Sequence, residues 1–286
     1  MEAIEINLPM GLSVDGQWCR NVWLKPLTGH EEEFLLQEGA CLPAAARVTQ
    51  LLTRCVRRLG PLEPVGADTL RRLSVGDREA LLLHLRRLAL GERVCCLLSC
   101  PSCAKKMDLD LQIHELLLPA YAEAKSSHRA TISEGGDTYH VTFRLPNGED
   151  QEAVAELAAD SVESAAAVLL QRCIQEIVPA SGEQIAGTPA IVLHELPQKM
   201  AELDPQAEVL LDLTCPECQT NFVVPFDATD YVCREINEGE YDFYRQVHSL
   251  SFHYHWNEEA ILAMNRRKRQ IYLTLLADEL SGGKSK

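Results

Sequence analysis

The stretch LTCPECQTNF at residues 213–222 nearly repeats the stretch LSCPSCAKKM at residues 98–107. Each contains a Cys-Pro-x-Cys motif between short apolar runs, a pattern that predicts a turn between two strands. Such a turn directs two thiolates to one point, whereas Zn²⁺ in a structural site takes four ligands in a tetrahedron. We therefore predict that the two turns meet in a zinc ribbon that holds one structural zinc ion per chain. The predicted ligands are Cys100, Cys103, Cys215 and Cys218.

Other uses of the two motifs remain open. The motif also resembles a glutaredoxin-type redox pair, but that chemistry needs a helix N-terminus after the first cysteine to lower its pKa. The segments that follow, KKMDLDLQI at 105–113 and TNFVVPF at 220–226, are typical of strands. Structural disulfides, two separate weaker metal sites and unmetallated thiols are the remaining alternatives. Many such turns carry Gly after the second cysteine, whereas this chain has Ala104 and Gln219, which implies strain if that residue takes a positive φ.

Further similarities accompany the cysteine pairs. The segment VWLKPLTGHEEEFL at 22–35 aligns with VTFRLPNGEDQEAV at 141–154, and LLTRC at 51–55 aligns with LLQRC at 169–173. The similar segments occur in the same order with nearly constant separations. This collinearity predicts an internal duplication, although each short match taken alone is expected by chance.

The two halves are predicted to contain the same elements in the same order. In the first half these are a strand at 22–25, a helix with a Thr28/Glu31 capping box, a helix ending in LLTRC, a helix at 77–90 opened by Ser74, and strands at 93–99 and 106–112. In the second half they are a strand at 140–144, a helix capped by Asn147, a helix ending in LLQRC, a helix at 193–203, and strands at 208–214 and 221–226. Cys55, Cys95, Cys96 and Cys173 are expected to be small core residues.

The predicted fold class is α+β: an internally duplicated, helix-rich domain with short antiparallel strands, a shared four-cysteine zinc ribbon and C-terminal helices. The first strand-helix-turn repeat is placed at 1–125 and the second at 126–235. A C-terminal helical segment follows at 236–280, and a flexible tail at 281–286.

Composition restricts the possible partners and the compartment. The 286 residues contain 42 Asp and Glu against 27 Lys and Arg, a net charge of −15, which repels phosphate backbones and anionic membrane surfaces. Nucleic acid is therefore an unfavourable partner. Neither a secretory signal nor a membrane-spanning segment is visible. Eleven cysteines, an odd number, several of them in apolar or helical patterns, fit a reducing cytosol.

The segment at 240–280 is predicted to form two amphipathic helices, broken near His255-Trp256, with Asn257 capping the second. His248, His253 and His255 suggest a metal or acid/base site, but their spacings of five and two place them on different helix faces. They are therefore expected to pack with aromatic rings instead. The basic run at 266–269 is expected to be a solvated face or a contact for an acidic groove on a protein partner. The partner-binding candidates are Trp256, Arg266, Arg267 and Arg269.

Sequence motifs of catalytic sites are absent: the chain has no P-loop, no GxGxxG, no GxSxG and no HExxH. The carboxylates at 31–33, and Asp108 with Asp110, are expected to be solvated. Four thiolate ligands leave a zinc ion no open position for water or substrate. We therefore expect a protein that is not an enzyme.

The order of motifs resembles a known family. The opening INLPMGLSVDGQWCRNVWLKPLTGHEEEFLL, the middle segment LPNGEDQEAV, the two CPxC motifs and the ending VHSLSFHYHWNEEAILAMNRRKRQIYL are together similar to the T4-type baseplate hub-assembly proteins of contractile phage tails and phage-tail-like injection systems. The resemblance spans about residues 4–276, and the zinc prediction rests on cysteine spacing rather than on the family.

That resemblance implies a non-enzymatic bacterial or phage protein that assembles, or forms part of, the central hub of the baseplate. Its expected partners are baseplate hub or tail proteins. It supplies no catalytic residues. The alternative function is a zinc-ribbon regulator or nucleic-acid-binding adaptor that uses the basic run at 266–269.

Overall fold

The computed structural model describes residues 3–181, 185, 187–237 and 240–282. Ten strands alternate with helices along this part of the chain. The strands are β1 (Ile4–Val14), β2 (Gln17–Leu24), β3 (Val56–Leu59), β4 (Arg93–Ser99), β5 (Lys106–Gln112), β6 (His128–Glu134), β7 (Asp137–Phe143), β8 (Ile174–Pro179), β9 (Val209–Thr214) and β10 (Asn221–Phe226). All pairings between these strands are antiparallel, so the predicted α+β class with short antiparallel sheets is confirmed.

The helices that precede the second cysteine pair are α1 (Gly29–Leu36), α2 (Ala44–Cys55), α3 (Ala67–Arg71), α4 (Val75–Leu90), α5 (Ile113–Leu116), α6 (Gly148–Asp160), α7 (Val162–Cys173) and α8 (Ala190–Leu203). Those that follow it are α9 (Ala228–Asn237), α10 (Glu240–Tyr254), α11 (Glu258–Leu262) and α12 (Arg266–Gly282). Single 3₁₀ turns lie at Gly39–Cys41 and Pro205–Ala207. None of the helices in the described residues has the length and apolar character needed to cross a membrane.

Two three-stranded sheets have the same construction. One has the order β1-β2-β3 and the other β6-β7-β8, and in both the pairing of the second strand with the third shifts register near its end. In both, the helix before the third strand ends in a buried cysteine whose carbonyl accepts a backbone hydrogen bond at 2.9 Å: Cys55 from Lys25 and Cys173 from Arg144. The predicted strand-helix-helix order therefore occurs in both halves.

The helix starts follow the capping residues in the sequence. The Asp77 N–H donates to the Ser74 hydroxyl at 3.1 Å, and the Asp150 N–H donates to the Asn147 side chain at 3.1 Å. The Thr28 hydroxyl and N–H both donate to Glu31. These side chains satisfy backbone groups that a helix start would otherwise leave without partners.

The buried hydrophobic residues form two clusters of unequal size. The larger contains the β1-β2-β3 sheet, helices α2 and α4, and apolar residues of α9, α10 and α11. The smaller lies between the β6-β7-β8 sheet and helices α7 and α8, and β1 contributes Met10 to it. The C-terminal helices therefore complete the core of the first half rather than that of the second.

Two buried carboxylates lie near each other at the start of α4, and we call this pair the acid seam. Asp77, in the first turn of α4, accepts the N–H groups of Met10 at 2.9 Å and Gly11 at 2.8 Å. Asp204, at the end of α8, accepts the Gly76 N–H at 3.0 Å and the Tyr121 hydroxyl at 2.7 Å. Burial, with Asp204 nearby, raises the pKa of Asp77 to about 7. The sequence analysis identified Asp77 only as part of a helix start.

The C-terminal segment differs from the prediction in one detail. The break at His255 occurs as expected, where φ is +56°, and Asn257 caps the next helix by accepting the Ala260 N–H at 2.9 Å. That helix ends at Leu262, and α12 begins at Arg266, so three helices occupy the region rather than two. Residues 283–286 of the predicted tail lie outside the described residues.

Several burial expectations were wrong. Glu31 and Glu32 were expected to be solvated, but only 3% and 6% of their surfaces are exposed. Glu31 accepts from Lys25 at 2.6 Å and Glu32 from Arg269 at 2.7 Å, so each charge is paired inside the fold. Cys95 is exposed, because it faces outward on β4.

Candidate metal centre

Two hairpins carry the cysteine pairs. Strands β4 and β5 pair without a break from Arg93 opposite Gln112 to Ser99 opposite Lys106. Strands β9 and β10 pair in the same way up to Thr214 opposite Asn221. The predicted bounds of three of these strands are confirmed, and β9 begins one residue later than expected. Each Cys-Pro-x-Cys motif therefore lies in the turn that closes a hairpin.

The two turns have the same internal hydrogen bonds. The Cys100 N–H donates to the Lys105 carbonyl at 2.9 Å, and the Ala104 N–H donates back to the Cys100 carbonyl at 2.9 Å. In the second turn, Cys215 and Gln219 form the corresponding bonds, each at 3.0 Å. These bonds fold each turn so that both of its sulfurs lie on one side.

The residue after each cysteine pair has left-handed backbone geometry. The φ angle is +56° at Ala104 and +60° at Gln219. Residues with a Cβ are disfavoured at such angles, and glycine is not. The strain expected from the sequence is therefore present in both turns.

The four sulfurs come together between the tips of the hairpins. Cys100 Sγ lies 3.6 Å from Cys218 Sγ, and Cys103 Sγ lies 3.8 Å from Cys215 Sγ. All four sulfurs lie within 4.8 Å of one another. A tetrahedral ion with metal–sulfur bonds of about 2.3 Å requires sulfur–sulfur distances of about 3.8 Å. The cluster therefore has dimensions suited to a metal ion.

The environment of the sulfurs is graded from buried to exposed. Cys100 and Cys215 are 2% and 1% exposed, whereas Cys218 lies at the surface. The hydroxyl and backbone N–H of Thr220 lower the pKa of Cys218 to about 6. At Cys103 the backbone N–H of Lys105 also lowers the pKa, but desolvation and hydrogen bonds to the other three cysteines outweigh it. The pKa of Cys103 is therefore raised to about 12. Without a cation Cys103 therefore stays protonated, and all four sulfurs can be thiolates together only if a cation offsets their charge.

The geometry around the cysteines does not favour the redox alternative. After Cys100 and Cys215 the described chain forms a turn and then a strand, so neither sulfur lies at a helix N-terminus. All eleven cysteines are free thiols. Among the described residues, no other cluster of three or more His, Cys, Asp or Glu side chains has a geometry suited to a metal.

Helix α9 contacts one strand of each hairpin. The Tyr231 hydroxyl donates to the Cys95 carbonyl at 3.3 Å, and the Tyr231 ring lies 5.5 Å from the ring of Phe226. The Glu79 carboxylate, from α4, accepts the Ala228 N–H and the Thr229 hydroxyl at the start of α9. The cysteine cluster is thereby connected to the larger core.

The partner-binding candidates are not on one surface. Arg269 is fully buried, because its guanidinium pairs with Glu32 and donates to the Met264 carbonyl at 2.9 Å. Arg269 is therefore unavailable as a surface contact for a partner. Arg266 is half-buried and Arg267 is exposed, so the basic run does not form one continuous face.

Trp256 lies in a cluster of aromatic rings that holds α12 against α10. Its ring stacks on Tyr254 with centroids 4.7 Å apart and meets Tyr272 edge-on at 4.8 Å. Among the histidines, His248 stacks on Phe252 at 6.0 Å, as expected from the sequence, but both rings lie at the surface. Trp256 therefore contributes to packing within the chain.

The fold and the site define a mixed α+β protein with short antiparallel sheets, C-terminal helices and a four-cysteine cluster suited to a metal ion. The family model described as T4 bacteriophage base plate protein matches residues 4–232. The chain belongs to this family, and the resemblance stated from its motifs is confirmed over these residues. The family is a structural baseplate family not known as an enzyme. No curated protein and no solved structure matched the chain.

Proposed function

We propose that this protein is a non-enzymatic assembly chaperone or structural adaptor for the baseplate hub of a contractile phage tail or phage-tail-like injection system. It acts in the bacterial or phage-infected cytoplasm, where it binds hub or tail proteins, and one structural zinc ion stabilises it. The observation that carries this proposal is the family match over residues 4–232.

We assign the cysteine cluster to structural zinc, with Cys100, Cys103, Cys215 and Cys218 as its ligands. Zinc is favoured by four thiolate donors in tetrahedral spacing. Four protein ligands close the coordination sphere, which suits a staple rather than a catalyst. The ion would join hairpins that lie more than a hundred residues apart in sequence, and this greatly restricts the unfolded chain.

We attribute the doubled cysteine motif to an internal duplication, with units at 1–125 and 126–235 and a C-terminal helical segment at 236–280. The matching strand orders, the register shifts at corresponding positions, and the equivalent carbonyl contacts of Cys55 and Cys173 support this assignment. A zinc ion between the units would then lie where their hairpins meet.

We place the partner surface on the C-terminal helices. Tyr241 and Phe252 on α10 are 79% and 65% exposed, and Ile271 on α12 is 52% exposed. The Arg245 guanidinium lies 6.0 Å from the centre of the Tyr241 ring, and exposed aromatic side chains beside arginine are typical of protein interfaces. The nucleic-acid alternative is weakened, because Arg269 is unavailable to a phosphate backbone.

Co-purification tests the adaptor proposal. The tagged chain is expressed with the neighbouring tail genes, and the bound proteins are identified by mass spectrometry. We expect at least one baseplate or tail component, and we expect the double variant Tyr241→Ala, Phe252→Ala to lose it. Tyr139→Ala, on the second sheet and away from the C-terminal helices, is the control. Capture of no baseplate component would count against the proposal, and salt-sensitive filter binding of DNA or RNA would favour the alternative.

Metal analysis tests the staple separately. We expect one zinc ion per chain by elemental mass spectrometry, and almost none in Cys215→Ala. Cys41→Ala removes an exposed cysteine outside the cluster and serves as the matched control. Full zinc content in Cys215→Ala, or two ions per chain, would contradict the shared four-ligand site.

A further inference from the structure

A cleft between the two halves is lined by positively charged side chains and has no role in the site described above. Its volume is about 220 Å³, and it lies between the β1-β2 hairpin, the start of α4 and the loop before α6. Its charged lining residues are Arg72, Lys125 and Arg144, and no described carboxylate lines it. We call this the basic cleft.

The charge of the basic cleft is opposite to that of the chain as a whole, which is −15. The Arg72 guanidinium makes no ion pair with any described residue and is exposed. Lys125 pairs only with the exposed Glu123, and such surface pairs contribute little free energy. Arg144 shares Asp150 with Arg172, so the carboxylate behind the cleft is divided between two cations. The cleft therefore retains positive charge for a ligand.

One wall of the basic cleft is apolar. Trp18 on β2 is 37% exposed, and Leu12 and Leu145 line the cleft nearby. Trp and Arg are the side chains most enriched at the energetic centres of protein interfaces. The volume is below the range of about 300–1,000 Å³ usual for small-molecule sites. It suits one or two side chains of a peptide segment better than a complete cofactor.

The floor of the basic cleft is held by contacts between the halves. The Val75 N–H donates to the Pro146 carbonyl at 3.2 Å, and Ser74 and Asn147 form an isolated β-bridge. Gly11, at φ +83°, lets β1 approach β2 closely, because a Cβ there would meet the Cys19 carbonyl at 2.4 Å. The cleft is therefore formed before a ligand arrives, which lowers the entropic cost of binding.

We propose that the basic cleft binds a carboxylate side chain and an adjacent apolar residue from an acidic segment of a protein partner. The planar Arg72 guanidinium matches the two carboxylate oxygens, Lys125 adds a second positive charge, and Trp18 packs against the apolar neighbour. The identification of this partner as a hub or tail protein rests on the proposed function. The binding chemistry of the cleft is independent of that function.

The test uses two amidated probe peptides, acetyl-Glu-Glu-Leu-Glu-Glu and the same peptide with glutamine in place of each glutamate. Both are titrated into the full-length, zinc-loaded protein by calorimetry. We expect the glutamate peptide to bind, with an affinity that falls as salt is raised. Arg72→Gln and Lys125→Gln should each weaken binding by about tenfold or more, because each removes a charge-assisted hydrogen bond. Arg57→Gln, an exposed arginine on β3 outside the cleft, should leave affinity unchanged.

Several results would overturn this inference. They are failure of the glutamate peptide to bind, equal binding of the glutamine peptide, an equal loss in Arg57→Gln, or displacement of the peptide by an equal concentration of inorganic phosphate. Circular dichroism of each variant shows whether the fold is retained. If the peptide binds but no tail protein co-purifies, the cleft stands and the hub proposal fails. If tail proteins co-purify but the peptide does not bind, the hub proposal stands and the cleft proposal fails.

Discussion

The two three-stranded sheets have the same order of strands but very different cores. In the described part of the chain, 34 buried residues belong to the cluster around β1-β2-β3, and 10 belong to the cluster around β6-β7-β8. Full burial of a large apolar side chain contributes about 1.5–3 kcal/mol, whereas ordering each residue costs about 1–2 kcal/mol of backbone entropy. We therefore expect the β6-β7-β8 region to depend on its contacts with the rest of the chain to remain folded.

Those contacts include Asp204 of the acid seam, the Arg71–Glu152 ion pair between α3 and α6, the Ser74–Asn147 bridge beside the basic cleft, and the cysteine cluster. The first half has an additional source of stability, because α9, α10 and α11 pack into its core. Similar element order thus does not imply similar stability. A metal ion between the hairpins would matter more to the half with the smaller core, and the predictions below test that difference.

The largest effect is expected from loss of the metal site. Cys215→Ala should lower the midpoint of thermal unfolding by on the order of 10 °C, since several kcal/mol of metal binding is coupled to folding. Hydrogen exchange should increase more in β6-β7-β8 than in β1-β2-β3. Cys41→Ala should change neither measurement. Equal increases in both sheets would show that the halves unfold as one unit and that the difference in core size has no such consequence.

A second prediction compares the stability lost when a buried, ion-paired carboxylate is neutralised in each half: Asp150 in the second and Glu31 in the first. Asp150 accepts from Arg144 at 2.8 Å and from Arg172 at 2.9 Å, so Asp150→Asn leaves two cations facing a neutral group and should cost about 3 kcal/mol. Glu31 accepts from Lys25 and Thr28, and Glu31→Gln keeps one oxygen acceptor and should cost about 1–2 kcal/mol.

Urea unfolding monitored by circular dichroism gives both values. Glu149→Gln, next to Asp150 but largely exposed, should change stability by less than about 0.5 kcal/mol. A larger cost for Glu31→Gln than for Asp150→Asn would reverse the proposed ranking of the two halves.

The free energy of unfolding should depend on pH in opposite ways for two sets of carboxyl groups. One set is buried near the start of α4, and the other forms ion pairs. Burial raises the pKa of Asp77 and of Glu79 to about 7, above the values of the unfolded chain. Their protonated forms therefore stabilise the fold, and that contribution is lost as pH rises through 7. Between pH 6 and pH 8 each carboxyl changes stability by about 1.4 kcal/mol. His84 acts in the opposite sense, because burial lowers its pKa to about 4.

Asp77 and Glu79 together should contribute a loss of about 2–3 kcal/mol from pH 6 to pH 8, measured as the difference in urea unfolding between the unsubstituted chain and the double variant Asp77→Asn, Glu79→Gln. At acidic pH the ion pairs dominate. Burial raises the pKa values of Glu31 and Asp150, but hydrogen bonds from their basic partners outweigh burial and hold both pKa values below their usual range. Stability should therefore also fall below about pH 4 as these groups protonate. A difference between the unsubstituted chain and this variant that stayed constant from pH 6 to pH 8 would contradict the expected role of Asp77 and Glu79.

The smallest effects are expected in the two turns. Ala104→Gly and Gln219→Gly should each stabilise the zinc-loaded protein by up to about 1 kcal/mol, because glycine relieves the strain at positive φ. Ser102→Gly, in the same turn as Ala104 but without a positive φ, should destabilise it slightly. Thermal unfolding measures all three variants. Stabilisation by one of the two glycine substitutions and not the other would show that the turns are not equivalent.

Local patterns predicted the parts of this fold that short-range chemistry decides. The capping residues Ser74 and Asn147, the break before Asn257 and the bounds of β4, β5 and β10 follow from neighbours in the sequence. The spacing of the cysteines also predicted which four sulfurs lie together, because each turn could supply only half of a four-ligand site.

Burial and charge pairing depended on contacts between distant segments. Glu32 and Arg269 are 237 residues apart, and no local pattern indicated that the first would be buried or that the second would leave the surface to pair with it. The same is true of Asp204, which accepts the N–H of Gly76, 128 residues away, because the 3₁₀ turn after α8 packs against α4.

The sequence alone thus determined the class of the fold and the cysteine cluster, which follow from periodicity and spacing within short segments, and its motifs resembled the baseplate family to which the chain belongs. Only the tertiary structure decided that the C-terminal helices complete the first core, that Arg269 is internal, and that three cations line a cleft between the halves. These features arise from the packing of elements far apart in the chain, where the free energy of burial and ion pairing depends on neighbours that the local sequence does not specify.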